Sequence, residues 1–206
     1  LSLNATVLNH QDYGVDLGVN FTKVRNKVKK LAPGVESIML GGFVTPQIRA
    51  QAGYTYPNIY GKAFKRTADG QLLLDANGLP QSTAANVNLG ECAPDFNMGF
   101  NLHAHYKNLS LSATMDWQKG GCMYNGTLLT MNYFGATKES LPYHEGTMVA
   151  EGINEATGAK NTVVVSKQAY YQAYNDVTEA GIFDTSFLKL RDVTLSYQFP
   201  KLAGIN

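Results

Sequence analysis

Apolar and polar residues alternate strictly along "YGVDLGVNFT". Tyr13, Val15, Leu17, Val19 and Phe21 take the odd positions; Gly14, Asp16, Gly18, Asn20 and Thr22 lie between them. A period of two marks a β-strand with one apolar and one polar face. Four other stretches read the same way. "LSLNATVLN" puts Leu1, Leu3, Ala5 and Val7 on one face, with Leu8 out of phase. "FNMGFNLHAHY" sets Phe96, Met98, Phe100, Leu102, Ala104 and Tyr106 against Asn97, Gly99, Asn101, His103 and His105. "LSLSATMDWQ" sets Leu109, Leu111, Ala113, Met115 and Trp117 against Ser110, Ser112, Thr114, Asp116 and Gln118. In "RDVTLSYQFP", Val193, Leu195, Tyr197 and Phe199 form the apolar face, and the strand stops at Pro200, which cannot donate to a ladder. The pattern predicts strands near 1–9, 13–23, 96–106, 109–118 and 187–199.

The connections are lopsided. "HQD" joins the first two strands and Lys107-Asn108 joins the third to the fourth, which pairs Tyr106 with Leu109. The other two connections, near 27–95 and 119–186, are long. Following the chain up and down, every tight turn falls at one end of the sheet and every long excursion at the other. Outer-membrane barrels sort their loops this way, short on the periplasmic side and long on the extracellular side. The apolar face adds a second line. Its tight-turn end carries Tyr13, Tyr106, Tyr197 and Phe199, and its long-loop end Phe21, Phe96 and Trp117, with Phe187 nearby. Two aromatic bands about 25 Å apart suit rings that sit at headgroup depth. The expected fold is all-β: about five antiparallel strands of a transmembrane β-barrel, with long extracellular loops. A secreted β-sandwich with aromatics at its strand ends is the competing arrangement. Five strands do not close a barrel, and open edges in hydrocarbon are prohibitive. The chain also opens directly in a strand at Leu1, so it is expected to be one arc of a larger chain.

Composition narrows the function. A formal net charge of +1 gives no footprint for nucleic acid. No run of about 20 apolar residues exists to make a spanning helix, a rule that does not touch barrels. Asp69-Gly70 and Asn77-Gly78 are turn signals in the first excursion; "DANG" at Asp75 resembles the start of a calcium loop without its remaining ligands. Tyr54, Tyr56 and Tyr60 cluster there, and Tyr124, Tyr133, Phe134 and Tyr143 lie in the second excursion. Such aromatics suit stacking on a solute or gripping a partner, or they form the loops' own small cores. "SKQAYYQAYNDV" reads as a short helix capped by Ser166. Asp16, Asn20, Asn101, His103, His105 and Asp116 share the polar face and are the lumen-facing candidates. Extending the Lys107-Asn108 ladder sets Cys92 opposite Met123 and Cys122 opposite Ala93, which makes Cys92–Cys122 a candidate disulfide unless Pro94 breaks the ladder first and leaves two separate thiols. No catalytic constellation, phosphate loop or metal motif is present, so neither an enzyme nor a cofactor is expected.

"FDTSFLKLRDVTLSYQFP" resembles the C-terminal barrel signature of SusC/RagA-type TonB-linked outer-membrane proteins, through Ser186, Phe187, Leu190, Arg191, Val193, Thr194, Leu195, Tyr197 and Pro200. "DGQLLLDANGLPQ", "NLGECAPDFNMGF" and, more loosely, "KGGCMYNGT" extend the likeness over most of the chain. The resemblance implies a plugged barrel of about 22 strands in a Bacteroidetes-type outer membrane. It implies import of glycans or peptides, energised by TonB through an N-terminal part, under a SusD-like surface lipoprotein. The partners it implies are the remainder of the barrel, its plug, that lipoprotein, TonB and membrane lipid. The plug, the TonB box and the family's final strands have no counterpart in this stretch. A passive porin or structural barrel piece, and a carbohydrate-binding β-sandwich, stay open as alternatives.

Overall fold

A computed structural model describes residues 1–199; Pro200, where the sequence ends the last strand, and "KLAGIN" beyond it lie outside the described residues. The alternating stretches form one antiparallel sheet of five strands, β1 (Ser2–Asn9), β2 (Tyr13–Thr22), β3 (Phe96–Tyr106), β4 (Leu109–Lys119) and β5 (Phe187–Tyr197), in that spatial order. Tyr106 pairs with Leu109 across the tight turn, where Lys107 adopts φ +51°. The apolar positions align row by row: Ala5, Leu17, Leu102, Ala113 and Val193 make the central one. Period-two alternation produces these rows, because neighbours in register present the same face.

Two β-bulges depart from simple alternation. In β1 the register shifts between Thr6 and Leu8, so Leu8 pairs with Val15 in an apolar row and Val7 is the extra residue. The out-of-phase Leu8 is therefore in phase with its neighbours. In β5 the shift falls between Leu190 and Asp192, with Arg191 as the extra residue. Upstream of it, Leu188 pairs with Trp117 and Phe187 with Gln118. Phe187 thus stands in a polar row, and the expected aromatic at the apolar long-loop end of this strand is replaced by Leu188. An inserted residue turns every side chain on one side of it to the opposite face.

The excursions are far more ordered than loops. Asn26–Cys92 and Cys122–Asp184 form a compact unit separate from the five-stranded sheet. It holds a four-stranded sheet of Ser37–Gly42, Gln47–Gln51, Asn58–Gly61 and Val87–Glu91. The two excursions meet directly: Ile153–Asn154 pairs in parallel with Leu73–Leu74, and Arg66 makes a two-pronged ion pair with Glu179 at 2.7 and 3.0 Å. Two helices complete it, α1 (Gly126–Tyr133) and α2 (Lys167–Asn175). Ser166 caps α2, its hydroxyl accepting from the Ala169 N–H at 3.3 Å, where the sequence places that cap. Asn125 caps α1 in the same way through Leu128 at 3.0 Å. The turns at Gly70 and Gly78 use left-handed glycines, φ +84° and +79°. Asp75 Oδ1 accepts from the Asn77 and Leu79 N–H groups at 2.8 and 2.9 Å, which assigns that carboxylate oxygen to a turn. Among the described residues, the buried apolar core (Ile59, Tyr60, Phe64, Leu74, Leu129, Ala150, Val165 and Val177) lies wholly in this unit.

Candidate functional site

Among the described residues, the five-stranded sheet has no buried apolar core of its own. Leu3, Leu17, Leu190, Val193, Leu195 and Tyr197 are all exposed, Leu195 to 68%. Six large side chains uncovered on one face cost too much in water for an isolated soluble sheet. A β-sandwich would cover this face with a second sheet; the five-stranded unit, among the described residues, contains only one. The face is banded as the sequence predicts, apart from Phe187. Phe21, Phe96 and Trp117 cluster at the long-loop end, with ring centroids 5.6 and 5.0 Å apart. Tyr13, Tyr106 and Tyr197 share the row at the tight-turn end with Leu109.

The opposite face is knitted by polar side chains. Thr6 donates to Asp16 at 2.7 Å, and Ser2 donates to Asn20 at 2.7 Å. Thr114 reaches Asn101 at 3.4 Å, and His103 Nδ1 contacts Ser112 Oγ at 3.0 Å. The His105 ring lies against Gly14, where a Cβ would stand 2.4 Å from its Cε1, so glycine is what admits the ring. All six lumen-facing candidates therefore share one sheet face. The bulge adds residues that simple alternation misses. Arg191 Nε donates to Asp116 Oδ2 at 2.7 Å, and Lys189 and Arg191 lie over the Phe187 ring at 4.4 and 5.5 Å. The signal was a phase change: Leu188 and Leu190 are even, Val193 and Leu195 odd. His103 and His105, 6.5 Å apart, gain no third ligand, and no metal-binding group of three occurs among the described residues.

The excursion tyrosines divide. Tyr60 is buried, with its hydroxyl on Gln51 and Arg49 over its ring, so it is core and not a solute contact. Tyr54 and Tyr56 are exposed. Tyr133, Phe134 and Tyr143 line a cavity of about 330 Å³ whose other walls include Asn132, His144, Glu145, Tyr171 and Gln172. Tyr143 and Tyr171 stack at 4.2 Å with 12° between their planes. Tyr124 lines a second cavity with Leu129 and Asp176, and burial raises its pKa.

The cysteines do not meet across an extended ladder. Pairing of β3 with β4 ends at Phe96 and Lys119; Pro94 has no N–H, and Gly120 and Gly121 turn the chain away at φ +76° and +80°. Cys122 pairs instead with Asp184, and no bond joins the two cysteines in this structure. Burial pushes the Cys92 thiol up. Burial first, and then the negative charge of Cys92, Glu91 and Asp184, pushes Cys122 up to about 11.

Known proteins match this arrangement. TonB-dependent receptor P3 of Formosa agariphila is 26% identical over 223 residues, a match covering 97% of this chain and 21% of that protein. The protein this chain resembles over nearly its whole length is thus a TonB-dependent receptor. The solved RagAB peptide importer shows the same fold over the whole chain. In its open-open state the TM-score is 0.63 at 19% identity over 22% of that structure's chain. In its closed-closed state the TM-score is 0.62 at 21% identity over 23%. No family model matches. The chain spans about a fifth of the length of these relatives. The chain has the fold of an arc of the RagAB barrel, a fold whose place is the bacterial outer membrane.

Proposed function

We propose that this chain is wall and outer vestibule of a TonB-dependent importer of SusC type, which takes up glycans or peptides with a SusD-like surface lipoprotein. The observation that carries the reading is the five-stranded arc with one bare, aromatic-banded apolar face and a hydrogen-bonded polar face. The bare face meets lipid, with Tyr13 at the periplasmic interface and Phe21 at the outer one. The polar face looks into a lumen filled by a plug. The free edges of β1 and β5 pair with the flanking strands of the barrel, because unpaired backbone groups in hydrocarbon cost several kcal/mol each. The unit formed by the excursions stands outside the membrane, where the cavity of Tyr133 and Tyr143 contributes to the vestibule and the exposed Tyr54 and Tyr56 to solute or lipoprotein contact. The chain performs no covalent chemistry; TonB, acting through the N-terminal part of the receptor, supplies the energy.

Deleting the receptor gene in its own bacterium tests this. Uptake of labelled oligosaccharides or of oligopeptides is expected to fall, and the lost uptake is expected to depend on the proton-motive force. Unchanged uptake of both classes overturns the import reading, and uptake insensitive to an uncoupler makes the barrel a passive porin.

A further inference from the structure

The chain has two cysteines, and both lie where the excursions join the wall: Cys92 ends the first segment of the outer unit and Cys122 begins the second. Gly90 brings them together. A Cβ at Gly90 would stand 2.7 Å from Cys122 Sγ, so the thiol occupies the space that glycine leaves open. Cys92 follows two positions later, its N–H held by the Pro57 carbonyl at 3.0 Å. Side chains two apart in extended backbone project to the same side, which puts Cys92 on the side of the strand that Cys122 Sγ covers. The negative charge of Cys92 is felt at Cys122, which agrees with this proximity.

Neither thiol has a competing role. Both are half-buried, and acidic neighbours surround Cys122 where an activated nucleophile needs a cation or histidine. No third metal ligand joins them among the described residues. We propose that Cys92 and Cys122 form a disulfide in the mature receptor, tying the return of the first excursion to the start of the second. The inference rests on the placement of this unit outside the membrane, which requires the chain to cross an oxidising compartment.

The oxidant is the disulfide of a periplasmic thiol–disulfide oxidoreductase. One receptor thiolate attacks it, forming a mixed disulfide and releasing one oxidoreductase thiol. The second receptor thiolate attacks the mixed disulfide, forming the Cys92–Cys122 bond and releasing the other thiol. Two protons leave the receptor cysteines, and two electrons reduce the oxidoreductase. Burial in the folded unit keeps thiolate scarce, so the bond forms during folding, before Cys122 settles over Gly90.

The test is alkylation of the full-length receptor, extracted from outer membranes without reductant and denatured in iodoacetamide. Neither cysteine is expected to carry label, both are expected to label after reduction, and an unreduced digest is expected to yield one linked peptide containing both. In Cys92→Ser the remaining thiol is expected to label without reduction. Labelling of both wild-type cysteines without reduction overturns the proposal, as does a bond from either one to any other cysteine. Absence of the receptor from the outer-membrane fraction refutes the placement instead; thiols found free in receptor that has reached that membrane refute the bond alone.

Discussion

Replacing Leu17 by arginine probes the assignment of the apolar face to lipid. Leu17 lies four residues from Tyr13 and four from Phe21, the rings that mark the two bands. At about 3.4 Å per residue each ring is ~14 Å away along the strand, or ~10 Å in depth once a barrel tilt of ~40° is applied. Leu17 is therefore near the bilayer midplane, flanked by Ala5 and Leu102. An arginine on the lipid face costs about 2–4 kcal/mol at that depth and about 0–1 near an interface. Leu109 shares the row of Tyr106 and Tyr197, so Leu109→Arg samples the interface. Ser112→Arg samples the polar face at nearly the depth of Leu17, and its main loss is the His103 contact, about 1 kcal/mol. Leu17→Arg is expected to shift the folding equilibrium of the full-length receptor in phospholipid vesicles by on the order of 10²-fold, read by reversible denaturant titration. Leu109→Arg and Ser112→Arg are expected to shift it by roughly tenfold or less. A Leu17→Arg variant no less stable than Leu109→Arg refutes the lipid-facing assignment.

The bulge at Arg191 predicts opposite accessibility for two adjacent positions: in Phe187→Cys a hydrophilic maleimide reaches the thiol through the lumen, whereas in Leu188→Cys it does not, and the reverse pattern would remove the bulge. In the reduced receptor Gly90→Ala forces a Cβ against Cys122 Sγ at φ +153°, and a loss of about 1–3 kcal/mol in thermal unfolding of the outer unit is expected. Glu179→Gln weakens the pair with Arg66 that joins the two excursions; both side chains are partly exposed, so about 1 kcal/mol and faster proteolytic cleavage of the excursions are expected, and equal cleavage rates would show the pair to be idle. With its pKa raised to about 11, Cys122 in reduced, folded receptor is neutral below that pH. Its alkylation rate is expected to be on the order of a hundred-fold below that of the unfolded protein at pH 8 and to climb toward pH 11; equal rates at pH 8 would contradict the burial.

Alternation by itself determined the five strands, their pairing across the Lys107-Asn108 turn and the polar face of Asp16, Asn101, His103 and Asp116, because a period of two assigns faces without reference to anything distant. The sorting of short and long connections and the aromatic rows pointed the apolar face to lipid for the same reason: both follow from counting residues along strands. Two departures were also written in the chain, in the phase slips at Leu8 and between Leu190 and Val193, but a slip has meaning only once a neighbouring strand sets the register. Val15 decides it for Leu8, and Trp117 decides it for Leu188. That pairing turned Phe187 to the polar face and created its stack with Lys189 and Arg191. The outer unit was the least readable part. Its sheet and core join residues as distant as Phe64 and Glu179, whose contact, the Phe64 N–H on Glu179 Oε2 at 2.7 Å, leaves no periodic trace. Tyr60 in a buried core and Tyr143 against a cavity look alike as tyrosines in a loop; only packing separates them. Cys122 sits over Gly90, two positions before Cys92, on a glycine that lets a side chain approach its backbone, a meeting of two segments that tertiary structure alone produces.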